Sequence, residues 1–300
     1  MIVITGASGR TGRVAAEALL DKGERIRVVG REAKRLEPLA AKGAETFVGH
    51  VEDAAAMTKA LEGATAVYLV VPEDTSNPDL RGHQETVTDA YAAAVAAVKV
   101  PYVVALSSIG AQHAEGTGPI VGLHNFEQKL NRIQGLNVLF LRPGYFMENL
   151  LMTISTIRSM GILPGGMKGD VAMPWIATRD IGAYAASRLA ARDFSGTSIQ
   201  ELHGQRDLSM KDTASIVGAA IGNPHLSYMQ VPFIMLESAL VNMGLPKSSA
   251  ALIIEMWQGA NAGLIVPQQP RTAQNTTPTT IEWFAREVFA PAYNAKTTAA

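Results

Sequence analysis

The spacing Gly6-x-x-Gly9-x-x-Gly12 has the clearest chemical use of any pattern in this 300-residue chain. It follows the apolar run Ile2–Thr5 and precedes the helical pattern Arg13–Lys22, so it reads as strand, tight turn and helix start. In that setting Gly6 permits the turn, Gly9 lets the backbone approach a pyrophosphate, and Gly12 lets helix pack on strand. The helix N-terminus then offers unpaired N–H groups and a positive dipole end to phosphate. Gly6, Ser8, Gly9, Arg10, Thr11 and Gly12 are therefore candidates for holding a nicotinamide dinucleotide. The end of the next strand decides which one. An NAD site usually places Asp or Glu there for the ribose 2′-hydroxyl. Here the run ends Val29-Gly30-Arg31, with Lys34 and Arg35 one turn on and Arg10 within reach. A guanidinium fork matches phosphate oxygens. NADP(H) is the preferred cofactor on this reading, with NAD(H) admissible, and Arg31 and Lys34 are candidates for the 2′-phosphate.

Other chemistries are limited by what the residues provide. With no cysteine, thiolate catalysis, disulfides and Cys-based zinc sites are excluded. His83, His113, His203 and His225 show no metal-ligand spacing, and no metal is expected. No Tyr-x-x-x-Lys pair occurs: Tyr91 is followed four positions on by Val95, and Tyr184 by Arg188. Ketone and alcohol chemistry thereby loses its usual proton donor.

Positioning these residues requires an alternation of strands and helices. Arg25–Val29, Glu45–Val48, Ala66–Val71 and Tyr102–Leu106 read as strands. Ala33–Lys42, Ala54–Leu61 and Asp79–Val98 read as helices between them. Continuous apolar strands with helical crossovers imply a parallel sheet covered on both faces. Further on, Phe126–Ile133 is expected as a helix, Val138–Leu141 as a strand and Gly161–Gly169 as a Gly/Pro-rich loop. Helices are expected at Asp180–Ala191, Ser209–Ile221, Phe233–Met243, Ala250–Gly259 and Thr280–Phe289, then a loose tail at Ala290–Ala300. The expected fold class is α/β, a Rossmann-type doubly wound parallel sheet with a smaller, mainly helical C-terminal part. Residues 1–150 would form the dinucleotide-binding domain, with sheet contributions to about residue 205. Residues 151–300 would form the substrate part.

The apolar share of 47% and charged share of 18% mark a globular chain. A net charge of -1 supplies no field for nucleic acid or anionic lipid. No charged and apolar leader precedes the first strand, and no run of about 18 apolar residues could span a bilayer. Neither nucleic acid nor membrane is expected as a partner. The expected location is cytoplasmic, which a Cys-free chain suits. A homodimer is compatible with the sequence but not required by it.

Over nearly its whole length the chain resembles the NmrA-like family, atypical relatives of the short-chain dehydrogenases/reductases. The resemblance rests on Ile4-Thr5-Gly6-Ala7-Ser8-Gly9, Gly49-His50-Val51-Glu52-Asp53, Ser107-Ser108 and His124-Asn125-Phe126-Glu127. It continues through Leu141-Arg142-Pro143-Gly144-Tyr145-Phe146-Met147-Glu148-Asn149 and Ile176-Ala177-Thr178-Arg179-Asp180-Ile181. The segment Thr276-Thr277-Pro278-Thr279-Thr280-Ile281-Glu282 is similar to the dye and quinone reductase branch. The resemblance implies adenine contacts near His50 and Val51 and backbone contacts from Val70, Val71 and Pro72. It sets Pro143, Gly144, Tyr145 and Phe146 against the nicotinamide and makes Asp180 mainly structural. Ser107 takes the position of the short-chain dehydrogenase serine, here as a cofactor or strand-end hydrogen-bonding residue. His124, expected just before a helix beside the nicotinamide, and Tyr145 are the catalytic candidates.

Tyr145, Phe146, Met147, Met152, Met160, Met167 and Trp175 surround these segments. Singly each reads as core; together they suggest an adaptable wall for a small, flat, apolar aromatic substrate. The expected function is an NADPH-dependent oxidoreductase passing hydride to a quinone-like, azo or triarylmethane acceptor. Such electrophiles need little acid catalysis, which suits the missing Tyr/Lys pair. The alternative is a catalytically weak regulator that senses NADP(H), with loops Asp74–Gly82 and Gly161–Gly169 as switch candidates.

Overall fold

Short runs, mostly apolar and closed by Gly, Pro or Ser, form the central strands here. The computed structural model describes residues 1–295, so the last part of the expected 290–300 tail lies outside the described residues. The first half alternates strictly. It runs β1 (Ile2–Ile4), α1 (Arg10–Asp21), β2 (Ile26–Gly30), α2 (Ala33–Ala40), β3 (Glu45–Val48), α3 (Ala54–Leu61), β4 (Ala66–Leu69), α4 (Leu80–Val98), β5 (Tyr102–Leu106), α5 (Ile120–Asn131) and β6 (Asn137–Pro143). The second half holds β7 (Tyr145–Phe146), a 3-10 segment (Met147–Thr153), α6 (Ile154–Met160), β8 (Ile162–Gly165), β9 (Met173–Ile176), α7 (Thr178–Ala191), β10 (Thr197–Leu202) and β11 (Asp207–Leu208). It closes with α8 (Met210–Ala220), β12 (Ser227–Gln230), α9 (Phe233–Asn242), α10 (Lys247–Asn261), α11 (Ile281–Phe284), a π-helical turn (Ala285–Phe289) and α12 (Ala290–Asn294).

The central sheet has seven strands in the order β10-β6-β5-β4-β1-β2-β3, all parallel. This is the doubly wound α/β fold the sequence led us to expect. Strand order reverses between β1 and β4, which places the ligand crevice beyond the carboxyl ends of those strands. Ala15, Ala16, Leu19 and Leu36 pack one face together with Ile181, Ala185 and Leu189 of α7. Met57, Leu61, Val87, Tyr91, Phe126 and Leu130 cover the other. The small residues of α7 have a purpose: a Cβ on Gly182 would stand 2.5 Å from the Thr11 carbonyl oxygen, so α7 lies directly against the first turn of α1.

Three expectations need correction. The helix expected from Phe126 begins at Ile120, so His124 lies inside α5 and not ahead of it. Pro119 stands at its N-cap, where a missing N–H costs nothing; Gly122 and Asn125 had obscured the start. The Gly161–Gly169 loop contains β8, which pairs in parallel with β12. Ala290–Asn294, read as tail, is helical.

A third apolar cluster fills the second half, with Met147, Leu150, Met167, Trp175, Met210, Val217, Phe284 and Phe289 among its members. Carboxylates, Asp180 and Glu201 among them buried, fasten this part to α7 and β10. Glu148 accepts the Thr178 amide (3.0 Å) and hydroxyl (2.6 Å), and Asp180 accepts the Thr279 amide (3.0 Å) and hydroxyl (2.7 Å). Glu201, at the end of β10, accepts the amides of Gln268 (2.9 Å) and Gln269 (2.9 Å) and lies 3.1 Å from His203 Nε2. Burial pushes the Glu201 carboxyl up, but the His203 and amide hydrogen bonds outweigh burial and hold it below the usual value of 4.5. A depressed native pKa stabilises above the unfolded value and is lost as pH falls through the native one. Glu201→Gln should therefore lower stability at pH 7 by about 2–4 kcal/mol. It should also flatten the loss of melting temperature that the unchanged protein shows on acidification below about pH 4.5. Melting curves over pH 3–7 for the two proteins check this; parallel curves would remove Glu201 from the acid response.

Candidate functional site

The site begins at the turn after β1. Gly6 sits at φ +60°, a left-handed conformation that suits glycine. A Cβ on Gly9 would lie 3.1 Å from the Gly6 carbonyl oxygen, and one on Gly12 only 2.3 Å from it. The turn is thus a cradle that side chains would fill. Gly9 is the N-cap of α1, so the amides of Arg10, Thr11 and Gly12 open the helix without intrahelical acceptors. No acidic residue stands in this first turn to neutralise them. Underneath, the buried Thr5 hydroxyl donates to the Tyr68 carbonyl (3.0 Å) and accepts the Val70 amide (2.9 Å), joining β1 and β4 at the switch point. Tyr68 Oη donates to Thr11 Oγ1 (3.3 Å), so Thr11 turns its hydroxyl inward and presents backbone to the crevice.

At the end of β2, a Cβ on Gly30 would lie 3.0 Å from Leu36 Cδ2. Arg10, Arg31, Lys34 and Arg35 are all exposed. A cleft of about 270 Å³ beside the turn is lined by Ala7, Ser8, Arg13, Arg35, Pro38 and Leu39. Arg35, then, is the cation of α2 that borders the turn with Ser8. Val51 is buried, whereas His50 is exposed. Val70 packs over the turn, 3.2 Å from where a Gly6 Cβ would be, and its carbonyl accepts from Tyr91 Oη (2.9 Å). Val71 and Pro72 continue the same edge, partly exposed.

The far end is built on β5, β6 and α5. Glu127 and Arg142 form a buried pair: Arg142 Nε to Oε1 at 2.9 Å and Nη2 to Oε2 at 2.5 Å. Ser107 Oγ donates to Glu127 Oε1 at 2.6 Å, so its proton is committed there. The Ile109 amide donates to the Pro143 carbonyl (3.2 Å), and His124 Nδ1 lies 2.8 Å from the Ala111 carbonyl. A carbonyl only accepts, so Nδ1 carries the hydrogen and Nε2 is left for other work. His124 and the Pro143 turn are thus held by the same short stretch after β5. Gly144 is required next: a Cβ there would meet the Pro174 carbonyl oxygen at 2.4 Å. Tyr145 and Phe146 then pair with Trp175 and Ile176 of β9.

The Tyr145 ring meets Trp175 edge-on at 4.8 Å. Burial pushes its phenol up to about 12, with an Asn149 hydrogen bond opposing and the Glu73 charge adding. Tyr228 lies near enough for Tyr145 to help raise its phenol, after burial, and donates to the Met167 carbonyl (2.5 Å). Gly166 leaves room for Trp257 and Leu236, whose atoms would be 2.7 and 3.1 Å from its Cβ.

The apolar wall expected from the sequence is dispersed. Met147, Met167 and Trp175 are core, while Met152 and Met160 stand exposed. Tyr228 and Trp257 were not anticipated; the doubled glycines 165–166, which make way for both rings, were the available signal. Glu127 is a salt-bridge residue and Asp180 an anchor. Lys129 is occupied with Glu85 and Asp89 on α4. Among the described residues no group of His, Asp and Glu is placed to hold a metal, and no helix is long and apolar enough to cross a membrane.

Strand order and glycine cradle together define a Rossmann-type α/β protein. The chain belongs to the NmrA-like family, whose model matches residues 1–285. It is 28% identical over 296 residues to a (4-alkanoyl-5-oxo-2,5-dihydrofuran-3-yl)methyl phosphate reductase of Streptomyces griseus, covering 97% of this chain and all of the relative. It is 29% identical over 261 residues to an NAD(P)H azoreductase of Xenophilus azovorans, covering 86% of each. In fold it is similar to the NADPH-dependent quinone oxidoreductase QOR2 of Escherichia coli, solved with NADPH, at TM-score 0.81 and 23% identity, covering 96% of this chain and 100% of that one.

Proposed function

We propose that this chain is an NAD(P)H-dependent oxidoreductase that prefers NADPH and reduces small, conjugated, electrophilic acceptors of the quinone or azo type. The observation that carries the reading is the cradle at Gly6, Gly9 and Gly12, with no acid at Gly30 itself and Arg31, Lys34 and Arg35 around Glu32 just past the end of β2. The relatives' names fit it: a butenolide, an azo compound and a quinone are all conjugated electrophiles.

The cradle amides and Ser8 would hold the pyrophosphate, and Arg10, Arg31, Lys34 and Arg35 the 2′-phosphate. Pro143, Gly144, Tyr145 and Phe146 would form the floor beneath the nicotinamide. Bound there, the dinucleotide supplies a hydride. The chain's own task is orientation, exclusion of water and delivery of a proton where the acceptor needs one. Tyr145 is unsuited to that last task, because a phenol near 12 holds its proton at neutral pH. His124 suits it better: Nδ1 is anchored on Ala111, and Nε2 is left to face a substrate. His124→Ala should thus lower kcat with a quinone by about 100-fold. Tyr145→Phe should change it by no more than about threefold. Steady-state rates with NADPH measure both, and the reverse ranking would reassign the proton donor.

The reading itself is tested by titrating NADPH and NADH into the purified chain and following NADPH oxidation with quinones and azo and triarylmethane dyes. Tighter binding of NADPH and turnover with at least one class are expected. Silence across the whole acceptor panel would overturn it.

A further inference from the structure

We propose that Gln112 is a positioning residue for His124: it fixes the backbone carbonyl that decides which imidazole nitrogen carries the hydrogen. Its weight in turnover rests on the function proposed above. His124 Nδ1 lies 2.8 Å from the Ala111 carbonyl. That carbonyl and the Gln112 N–H belong to one planar peptide unit, so whatever orients Gln112 also orients the acceptor of His124. The Gln112 side chain does so from two directions. Its Oε1 accepts the Gly110 amide (3.2 Å), closing a ring around Ala111, and its Nε2 donates to the Leu264 carbonyl (3.5 Å). Leu264 follows α10 and is itself held, its amide donating to the Gly259 carbonyl (2.9 Å).

The loop after β5 needs such a fastening. Gly110 has φ +97° and Gly116 φ +76°, so the backbone on either side of Gln112 has little conformational preference of its own. The Ile109 amide on the Pro143 carbonyl holds the loop before Ala111, and the Gly116 amide on Glu255 Oε1 (3.1 Å) holds it further on. Neither bond involves the peptide between Ala111 and Gln112. An open cleft of about 700 Å³, bordered by Gln112, His113, Glu115, Gly116, Glu255 and Leu264, lies against this loop, so packing does not hold the peptide from that side.

The chemical consequence falls on the ring. A neutral imidazole carries one N–H, and the partner of one nitrogen settles the state of the other. With the Ala111 carbonyl held in place, the hydrogen stays on Nδ1, and Nε2 is the atom that takes up a proton and passes it on. If the peptide turns, the hydrogen is free to move to Nε2, and the ring loses its direction together with its tautomer.

The experiment reads the tautomer first, on the ¹⁵N-labelled chain without nucleotide, at about pH 8.5, where an ordinary imidazole is neutral. Long-range ¹H–¹⁵N correlation spectra identify His124 by the signal lost in His124→Ala. The unchanged protein should show the hydrogen on Nδ1, and Gln112→Met, similar in size but without either hydrogen bond, a mixture of both tautomers. Gln112→Asn, too short to bridge Gly110 and Leu264, should give the same mixture and takes over if the methionine variant is unstable. With NADPH and a quinone, Gln112→Met should lower kcat by about 10-fold, within the range expected of a misplaced group, and leave NADPH affinity within about twofold. Gln112→Glu still accepts the Gly110 amide and should recover kcat to within about threefold of the unchanged protein. In the His124→Ala background Gln112→Met should cost nothing further, because no ring remains to be positioned. A hydrogen retained on Nδ1 in both Gln112→Met and Gln112→Asn, or an equal rate loss with and without His124, would overturn the role. A rate unaffected by His124→Ala would instead remove His124 as proton donor, and the tautomer would then decide the positioning by itself.

Discussion

Replacing Glu127 with alanine should lower stability by about 3–5 kcal/mol, the largest loss expected from any single side chain here. Glu127 is nearly inaccessible, and both its oxygens are engaged by Arg142, with Ser107 on one of them. Removing the carboxylate leaves a guanidinium buried without a counter-charge. It also frees the ends of β5 and β6 and the middle of α5 from one another, near Ile109, Pro143 and His124. Stability and turnover should fall together. Denaturant titration measures the first, provided the slope is unchanged. The double substitution Glu127→Leu with Arg142→Met should recover most of the lost stability, because apolar groups of similar size carry no desolvation penalty. It should not recover turnover to the same extent, since the three elements are no longer hydrogen-bonded to one point. A loss below about 1 kcal/mol for Glu127→Ala would show that water or a neighbouring group takes over the pairing.

Gly12→Ala addresses the opposite end of the crevice. Its Cβ would stand 2.3 Å from the Gly6 carbonyl oxygen, 2.8 Å from the Gly6 carbonyl carbon and 3.1 Å from the Thr5 carbonyl oxygen. All three are main-chain atoms, so no side chain can rotate away. The turn must shift, and with it the amides that open α1. NADPH affinity should fall by about 100-fold or more, and stability by about 1–3 kcal/mol. Gly23→Ala is the control. Gly23 has φ +77° with nothing within 4 Å of a Cβ, so the substitution brings backbone strain of about 1 kcal/mol and no effect on affinity. Calorimetry on both variants separates shape from strain. Equal affinities would mean that the cradle tolerates displacement and that the glycine spacing is a packing device only.

What could be read from the residues followed from the range over which each interaction acts. The glycine turn and the first five strands were legible because backbone sterics and apolar runs operate within a few residues. The missing acid at Gly30 was legible for the same reason, and the Gly30–Leu36 contact gives it a steric side as well. β7, β9, β11 and β12 left no trace: they are two to four residues long, and each exists only because a distant segment lies alongside. The start of α5 was misplaced because local propensity at Gly122 argued against a helix that packing on α4 and the sheet enforces. Partners such as Glu127 with Arg142, or Glu201 with Gln268, are joined across 15 and 67 residues, and no periodicity announces them. The methionine wall failed for a related reason: residue type gave the apolar character, but only the fold decides whether a side chain faces a cleft or the core.

The carboxylates that fasten the second half to α7 and β10 have a counterpart in α9, which buries none of its residues and leaves Ile234, Met235 and Val241 exposed. The molecule is therefore unevenly stiff. The segment proposed as the nicotinamide floor follows hydrogen-bonded strand ends, whereas no residue of α9 is buried. On the function proposed above, tolerance for acceptors of different outline would reside in that more exposed part, away from the alignment on which transfer would depend. Breadth of substrate and accuracy of reaction geometry would then be set by different regions of the chain, and neither would need to be sacrificed for the other.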